Sequence, residues 1–157
     1  MKSFFVVLFL MILVSFVRAQ GSFPVWKKDY AWGGNRDDYL MDIHQNEKDL
    51  SIFSAGHTFT SSNQDVSSYN KGYSDYWVVK TDSVGVLIYE QTYGGDSLDN
   101  LAAVVPTFDD GYLLAGSSAS GRNGDKADDS NGGFDYWIVK IDKEGNPEWN
   151  KTFGGLE

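Results

Sequence analysis

The chain contains no cysteine. That absence removes a disulfide scaffold, a thiolate metal site, a cysteine nucleophile and a lipidated cysteine anchor together. Proline is scarce, with 3 in 157 residues. Positive charge is short as well: 13 basic residues face 22 acidic ones, a net charge of -9, which argues against a nucleic-acid backbone or an anionic membrane surface as partner. After the first twenty residues no stretch keeps apolar side chains at i, i+3, i+4, i+7 for three turns, so helical signals are missing. Also missing are a Gly-x-Ser-x-Gly elbow, a His-Glu-x-x-His helix and a Gly-x-x-x-x-Gly-Lys loop. What is present is ordinary apolar content (41%), 15% aromatics and 17 glycines, enough for one globular domain with many turns.

The one long apolar run is Phe4 to Val17, behind Lys2. As a helix it would rise roughly 21 Å, short of the ~30 Å hydrocarbon core, so it reads as the core of a signal peptide and not as a membrane span. Val17-Arg18-Ala19 offers small side chains where a signal peptidase probes, placing cleavage between Ala19 and Gln20. Losing residues 1–19 removes Lys2 and Arg18 and no acid, so basic residues fall from 13 to 11 and the net charge goes from -9 to -11. The expectation is an acidic protein that is secreted or extracytoplasmic, in the periplasm or at the cell surface.

Everything after that is organised by a repeat. Asp75-Tyr76-Trp77-Val78-Val79-Lys80-Thr81-Asp82 returns sixty positions on as Asp135-Tyr136-Trp137-Ile138-Val139-Lys140-Ile141-Asp142. Residues 55–94 slid against 115–154 give 14 identities in 40 positions. Gly33-Gly34, Gly94-Gly95 and Gly154-Gly155 mark the period, with a one-residue slip between Ile43 and Ala55. The organisation expected is a signal peptide (1–19), an N-terminal strand (20–31), repeat 1 (32–92), repeat 2 (93–153) and the start of a truncated third repeat (154–157).

Each period holds four strand-like runs closed by turn signals. In repeat 2 they are Leu101 to Phe108, Tyr112 to Ser117, Asp135 to Asp142 and Pro147 to Phe153, with a long polar loop from Ser118 to Gly133. Gly111, after Asp109-Asp110, is expected to supply positive φ in a tight hairpin. Four short antiparallel strands per period make the blade of a β-propeller. A solenoid would use shorter coils, and a sandwich needs no repeat. The fold class is therefore all-β and β-propeller-like: about two four-stranded blades plus an extra N-terminal strand. Such a partial propeller is expected to be a truncated reading frame or a piece completed by self-association through its open sheet edges.

Trp149-Asn-Lys-Thr-Phe-Gly-Gly, Phe108-Asp-Asp-Gly-Tyr-Leu-Leu-Ala-Gly-Ser-Ser and Phe134-Asp-Tyr-Trp-Ile-Val-Lys-Ile-Asp-Lys-Glu-Gly-Asn resemble a repeat family of large secreted Bacteroidota proteins, often ending in a type IX secretion sorting domain. The resemblance implies an exported propeller-like array with a scaffolding or adhesive role and no enzymatic activity. Against that pattern the chain has about two repeats and no sorting domain.

Candidate chemistry is thin. His44 and His57 fall where the other repeat has Val105 and Ser117, and read as surface or satisfied residues. Asp75 and Asp135 are the best-placed carboxylates for acid–base work, but they match each other between repeats and read as structural groups accepting backbone hydrogen bonds at strand starts. Lys80 and Lys140 are read as strand-end charges near Asp82 and Asp142. Tyr76-Trp77 and Tyr136-Trp137 could stack on sugars, yet strand neighbours point to opposite faces, so at least one ring of each pair belongs between blades. The loop 124–133 could wrap Ca²⁺ through Asp125, Asp128 and Asp129, but it lacks the Asp-x-Asp-x-Asp-Gly spacing and reads first as a solvated turn. The function expected is a non-enzymatic scaffolding, adhesion or protein-interaction module without a cofactor, with a carbohydrate- or calcium-binding module as the alternative.

Overall fold

The computed structural model describes residues 30–62 and 65–156. The chain divides into residues 1–31 and a unit from Trp32 to Glu157. The expected signal peptide, its Ala19–Gln20 cleavage point and residues 20–29 of the expected N-terminal strand lie outside the described residues, and Tyr30 and Ala31 belong to no strand.

Described residues of the Trp32 unit are all-β, without a helix. They form β1 (Asp38–Gln45), β2 (Ile52–Thr58), β3 (Asp75–Thr81), β4 (Leu87–Tyr93), β5 (Asp99–Pro106), β6 (Tyr112–Ser118), β7 (Asp135–Ile141) and β8 (Pro147–Phe153). Two four-stranded antiparallel sheets result, ordered β1-β2-β3-β4 and β5-β6-β7-β8. Aromatic and β-branched residues fill β3 and β7, where they suit a pleated, half-buried surface. The two sheets do not close into a ring.

Corresponding irregularities recur. The register shifts between Leu40 and Asp42 on β1 and between Leu101 and Ala103 on β5. Opposite these bulges lie Gly56 and Gly116, where a Cβ would collide with the carbonyl oxygens of Tyr39 and Asn100. The repeated Ala-Gly pair is thus a demand of the bulge, which pushes the neighbouring backbone inward. The one-residue slip sits in the hairpins: six residues separate β1 from β2, five separate β5 from β6.

The β5–β6 hairpin corrects two sequence expectations. β5 stops at Pro106 because the Thr107 amide already donates to the Gly111 carbonyl, so Phe108 lies exposed in the turn. The left-handed residue is Asp110 (φ 63°), not Gly111. Glycine is required at 111 for a different reason: a Cβ there would strike the Ile141 carbonyl oxygen on β7.

Aspartate opens β1, β3, β5 and β7, and each carboxylate accepts a backbone N–H from four residues upstream. The donors are Gly34 for Asp38, Lys71 for Asp75 and Gly95 for Asp99, all at 2.7 Å, and Asn131 for Asp135. The preceding glycine amides are held too, Gly33 by Asp65 and Gly94 by Asp125. Gly33-Gly34 and Gly94-Gly95 therefore each offer two N–H groups to two carboxylates of their own chain, a small anion-binding nest already filled.

The main core lies between the sheets. Phe53, Ala55, Tyr76, Val78 and Tyr93 of the first meet Leu101, Leu114, Trp137, Val139 and Ile141 of the second. Because strand neighbours alternate faces, the Tyr76 face of one sheet packs on the Trp137 face of the next. The contact is head-to-tail: like sheets meet through unlike faces.

Candidate functional site

Head-to-tail packing leaves each sheet one face that its neighbour does not use. In the first sheet the Trp77 and Val79 part of that face is covered from within the unit, by Trp32 and by Val66 of the long loop, leaving Trp77 and Val79 only 7% and 4% exposed, while Ile43 on the same face stays exposed. The second sheet's free face is exposed at its aromatic positions and half-buried at Ile138 and Leu113. It carries Tyr136 and Ile138 on β7, Trp149 and Phe153 on β8, Leu113 on β6 and Val105 on β5, brought together by the β5–β6–β7–β8 register. Tyr136 is 74% exposed and Val105, Phe153 and Trp149 are at least half exposed. Its counterpart sixty positions earlier, Tyr76, is fully buried. Clustered exposed aromatics of this kind mark an interaction surface more often than chance.

The charges on this face are already paired. Lys140 Nζ lies 2.9 Å from Asp109 and 2.8 Å from Glu148, and Lys151 Nζ lies 2.8 Å from Asp128. Lys80 and Lys140, expected as strand-end charges near Asp82 and Asp142, hold other partners. Lys80 Nζ donates to the Lys143 carbonyl and sits 5.8 Å and 5.7 Å from the Tyr89 and Tyr112 ring centroids. Asp82 and Asp142 instead accept the turn amides of Val84, Val86, Glu144 and Asn146. Charge sites that look alike in sequence were drawn apart because the turn amides compete for the nearest carboxylate.

The Tyr-Trp pairs split as period-2 geometry requires on β7: Trp137 is fully buried while Tyr136 is exposed. On β3 both rings are buried. The tryptophans are held by side chains sixty positions apart. Trp77 Nε1 donates to Glu90 and Trp137 Nε1 to Asn150, which also holds Ala127 and Asp125 of the long loop.

That loop does not gather its carboxylates. Asp125 pairs with Lys71 at 2.8 Å and accepts the Gly94 amide, Asp128 pairs with Lys151, and Asp129 accepts the Arg122 amide. Among the described residues no group of three or more His, Asp or Glu could hold a metal ion. His57 stacks on Tyr39 with ring centroids 5.0 Å apart, burial lowers its pKa, and His44 lies at the opposite end of the β1–β2 pair.

Two groups stand out chemically. Burial, with repulsion from Asp99 and Asp125 added, pushes the Asp75 carboxyl up to about 7 against the pull of the Lys71 amide and ammonium. It is wholly enclosed, so no substrate reaches it. Lys126 is the residue that sequence reasoning missed. It occupies the place of Val66 in the other repeat, buried, with its ammonium 5.7 Å from the Trp137 centroid and donating to the Ser118 and Ser130 hydroxyls. The signal available was a lysine aligned with a buried valine.

Compared with protein-family models and with curated proteins, the chain matches none. Among the described residues no helix is long and apolar enough to cross a membrane.

Proposed function

We propose that the chain is an exported, non-enzymatic repeat module used in scaffolding, adhesion or protein interaction, built as a propeller-like array of the kind its repeat resembles. One observation carries this reading: Tyr136 is 74% exposed on a sheet face whose counterpart, at Tyr76, is fully buried against another sheet. An element whose one face is evolved for sheet-on-sheet packing, yet stands exposed at its aromatic positions, suits docking better than chemistry. Among the described residues the one carboxyl whose pKa is raised, Asp75, is sealed from solvent, which supports a module without catalysis.

A photoreactive side chain placed at position 136 tests this on intact cells that make the protein. A discrete protein adduct outside the cytoplasm is the expected result. No adduct, or saturable binding on a glycan array that Tyr136→Ala abolishes, would move the reading to a carbohydrate module.

A further inference from the structure

Asparagine followed by glycine is the step at which a backbone nitrogen most readily attacks a side-chain amide, because glycine has no Cβ to shield that nitrogen. The chain has two such steps, Asn123-Gly124 and Asn131-Gly132, both in the long loop between β6 and β7. The structure holds them differently. Asn123 is locked in a turn: its carboxamide oxygen accepts the Asp96 amide at 2.7 Å, its own amide donates to the Gly121 carbonyl and its carbonyl accepts the Lys126 amide, both at 2.9 Å. Gly124 is left-handed (φ 55°) and packed so closely that a Cβ there would lie 2.3 Å from the Gly94 carbonyl oxygen. Asn131, Gly132 and Gly133 are exposed, and a Cβ at Gly133 would meet nothing within 4 Å. Among the described residues the Asn131 carboxamide has no hydrogen-bond partner, and the Gly132 N–H donates to none. What holds Asn131 is its backbone amide, donated to the Asp135 carboxylate.

We infer that Asn131 is a site of spontaneous deamidation, converting to aspartate and isoaspartate in the folded protein while Asn123 is spared. The Gly132 nitrogen forms a bond to the Asn131 side-chain carbonyl carbon, and the carboxamide nitrogen leaves as ammonia with the Gly132 proton, closing a succinimide ring. Water then opens the ring at either carbonyl, so the balance needs water alone. Gly132, with φ 140°, sits in a conformation that glycine adopts with ease and other residues do not, so its nitrogen stays unshielded. The product reverses the charge that the other repeat carries at this place. The equivalent residue there is Lys71, whose backbone amide donates to Asp75 as that of Asn131 donates to Asp135. Where the first repeat has an ammonium, deamidation puts a carboxylate, beside Asp135 at the opening of β7. The modification is independent of what docks on the Tyr136 face.

Incubating the purified protein in mildly alkaline buffer and following its tryptic peptides by mass spectrometry tests this, since cleavage after Lys126 separates the two asparagines. In the folded protein the amide-to-acid mass increment should accumulate at Asn131 roughly tenfold faster than at Asn123, which must first break its turn. In guanidinium chloride the two sites should react at similar rates, because the turn is gone and the Asn-Gly step is the same. Isoelectric focusing of the intact protein should show a more acidic band growing in parallel, and Asn131→Gln should remove both that band and the increment in the peptide 127–140. Equal rates at the two sites in the folded protein overturn the inference. So does an Asn131 that stays unreacted in the folded protein while the unfolded chain is converted.

Discussion

Tyr76 lies against Trp137 with ring centroids 4.8 Å apart and donates its hydroxyl to the Trp137 backbone carbonyl at 3.0 Å. This joins the two sheets at their centre, and the equivalent hydroxyl on Tyr136 points to solvent. The same substitution should therefore cost different amounts in the two repeats. Tyr76→Phe is expected to lose about 1 kcal/mol, the net worth of a buried hydrogen bond. Tyr136→Phe should stay within about 0.5 kcal/mol of the parent. Urea denaturation of both variants checks the pair, and equal losses would mean the two tyrosines are equally enclosed.

Glycine at the bulges makes a second contrast. A methyl group at Gly56 or Gly116 must displace the Tyr39 or Asn100 carbonyl of the adjoining strand, whereas nothing lies within 4 Å of a Cβ at Gly133. Gly56→Ala and Gly116→Ala should each cost about 3 kcal/mol, at the upper end of overpacking effects. Gly133→Ala should move the denaturation midpoint hardly at all. Retained stability in the first two would show that the bulge can relax without penalty.

These glycines also show how far the sequence could be read. Their recurrence at a fixed period was visible, as were the strand cores, because period-2 alternation and a sixty-residue repeat are local or pairwise signals. The reason for Gly111 was not visible. It answers to the Ile141 carbonyl on another strand, a contact that no local turn rule contains. The exposed face was hidden for a related reason. Tyr76 and Tyr136 share the same Asp-Tyr-Trp context, and the presence of a neighbouring sheet separates them. The loop carboxylates Asp125, Asp128 and Asp129 look gathered in sequence, yet Lys71, Lys151 and the Arg122 amide draw them to separate partners.

Asp75 should leave a mark on the pH dependence of stability. Its folded pKa of about 7 stands above the ordinary aspartate value of 3.8, so the folded chain keeps a proton that the unfolded chain has released. Stability from this group is fully present below about pH 4, falls as pH rises through about 7, and is flat beyond, a total of at most about 4 kcal/mol. Asp75→Asn keeps an acceptor for the Lys71 amide and cannot ionise. Relative to the parent it should gain stability between about pH 4 and about pH 7, as read from urea midpoints across that range. Parallel profiles for parent and variant would show that Asp75 titrates normally.

Lys126 presents the opposite sign. Burial lowers its pKa against the attraction of Asp99, Asp135, Asp128 and Asp129, so the folded chain binds its proton less readily than the unfolded chain does. Its hydroxyl partners do not depend on it: Ser130 also donates to the Ser118 and Ser120 carbonyls, and Ser118 Oγ also accepts the Ser120 amide. Since Val66 fills the same place in the other repeat without a charge, Lys126→Met should be neutral or stabilising near neutral pH, by up to about 2 kcal/mol. The parent should then close the gap as pH climbs toward the ordinary lysine range, where its ammonium discharges. Urea midpoints at about pH 7 and about pH 10 decide it. A loss of more than about 1 kcal/mol at the lower pH would mean that the ring contact with Trp137 and the two serine hydrogen bonds outweigh the cost of burying the charge.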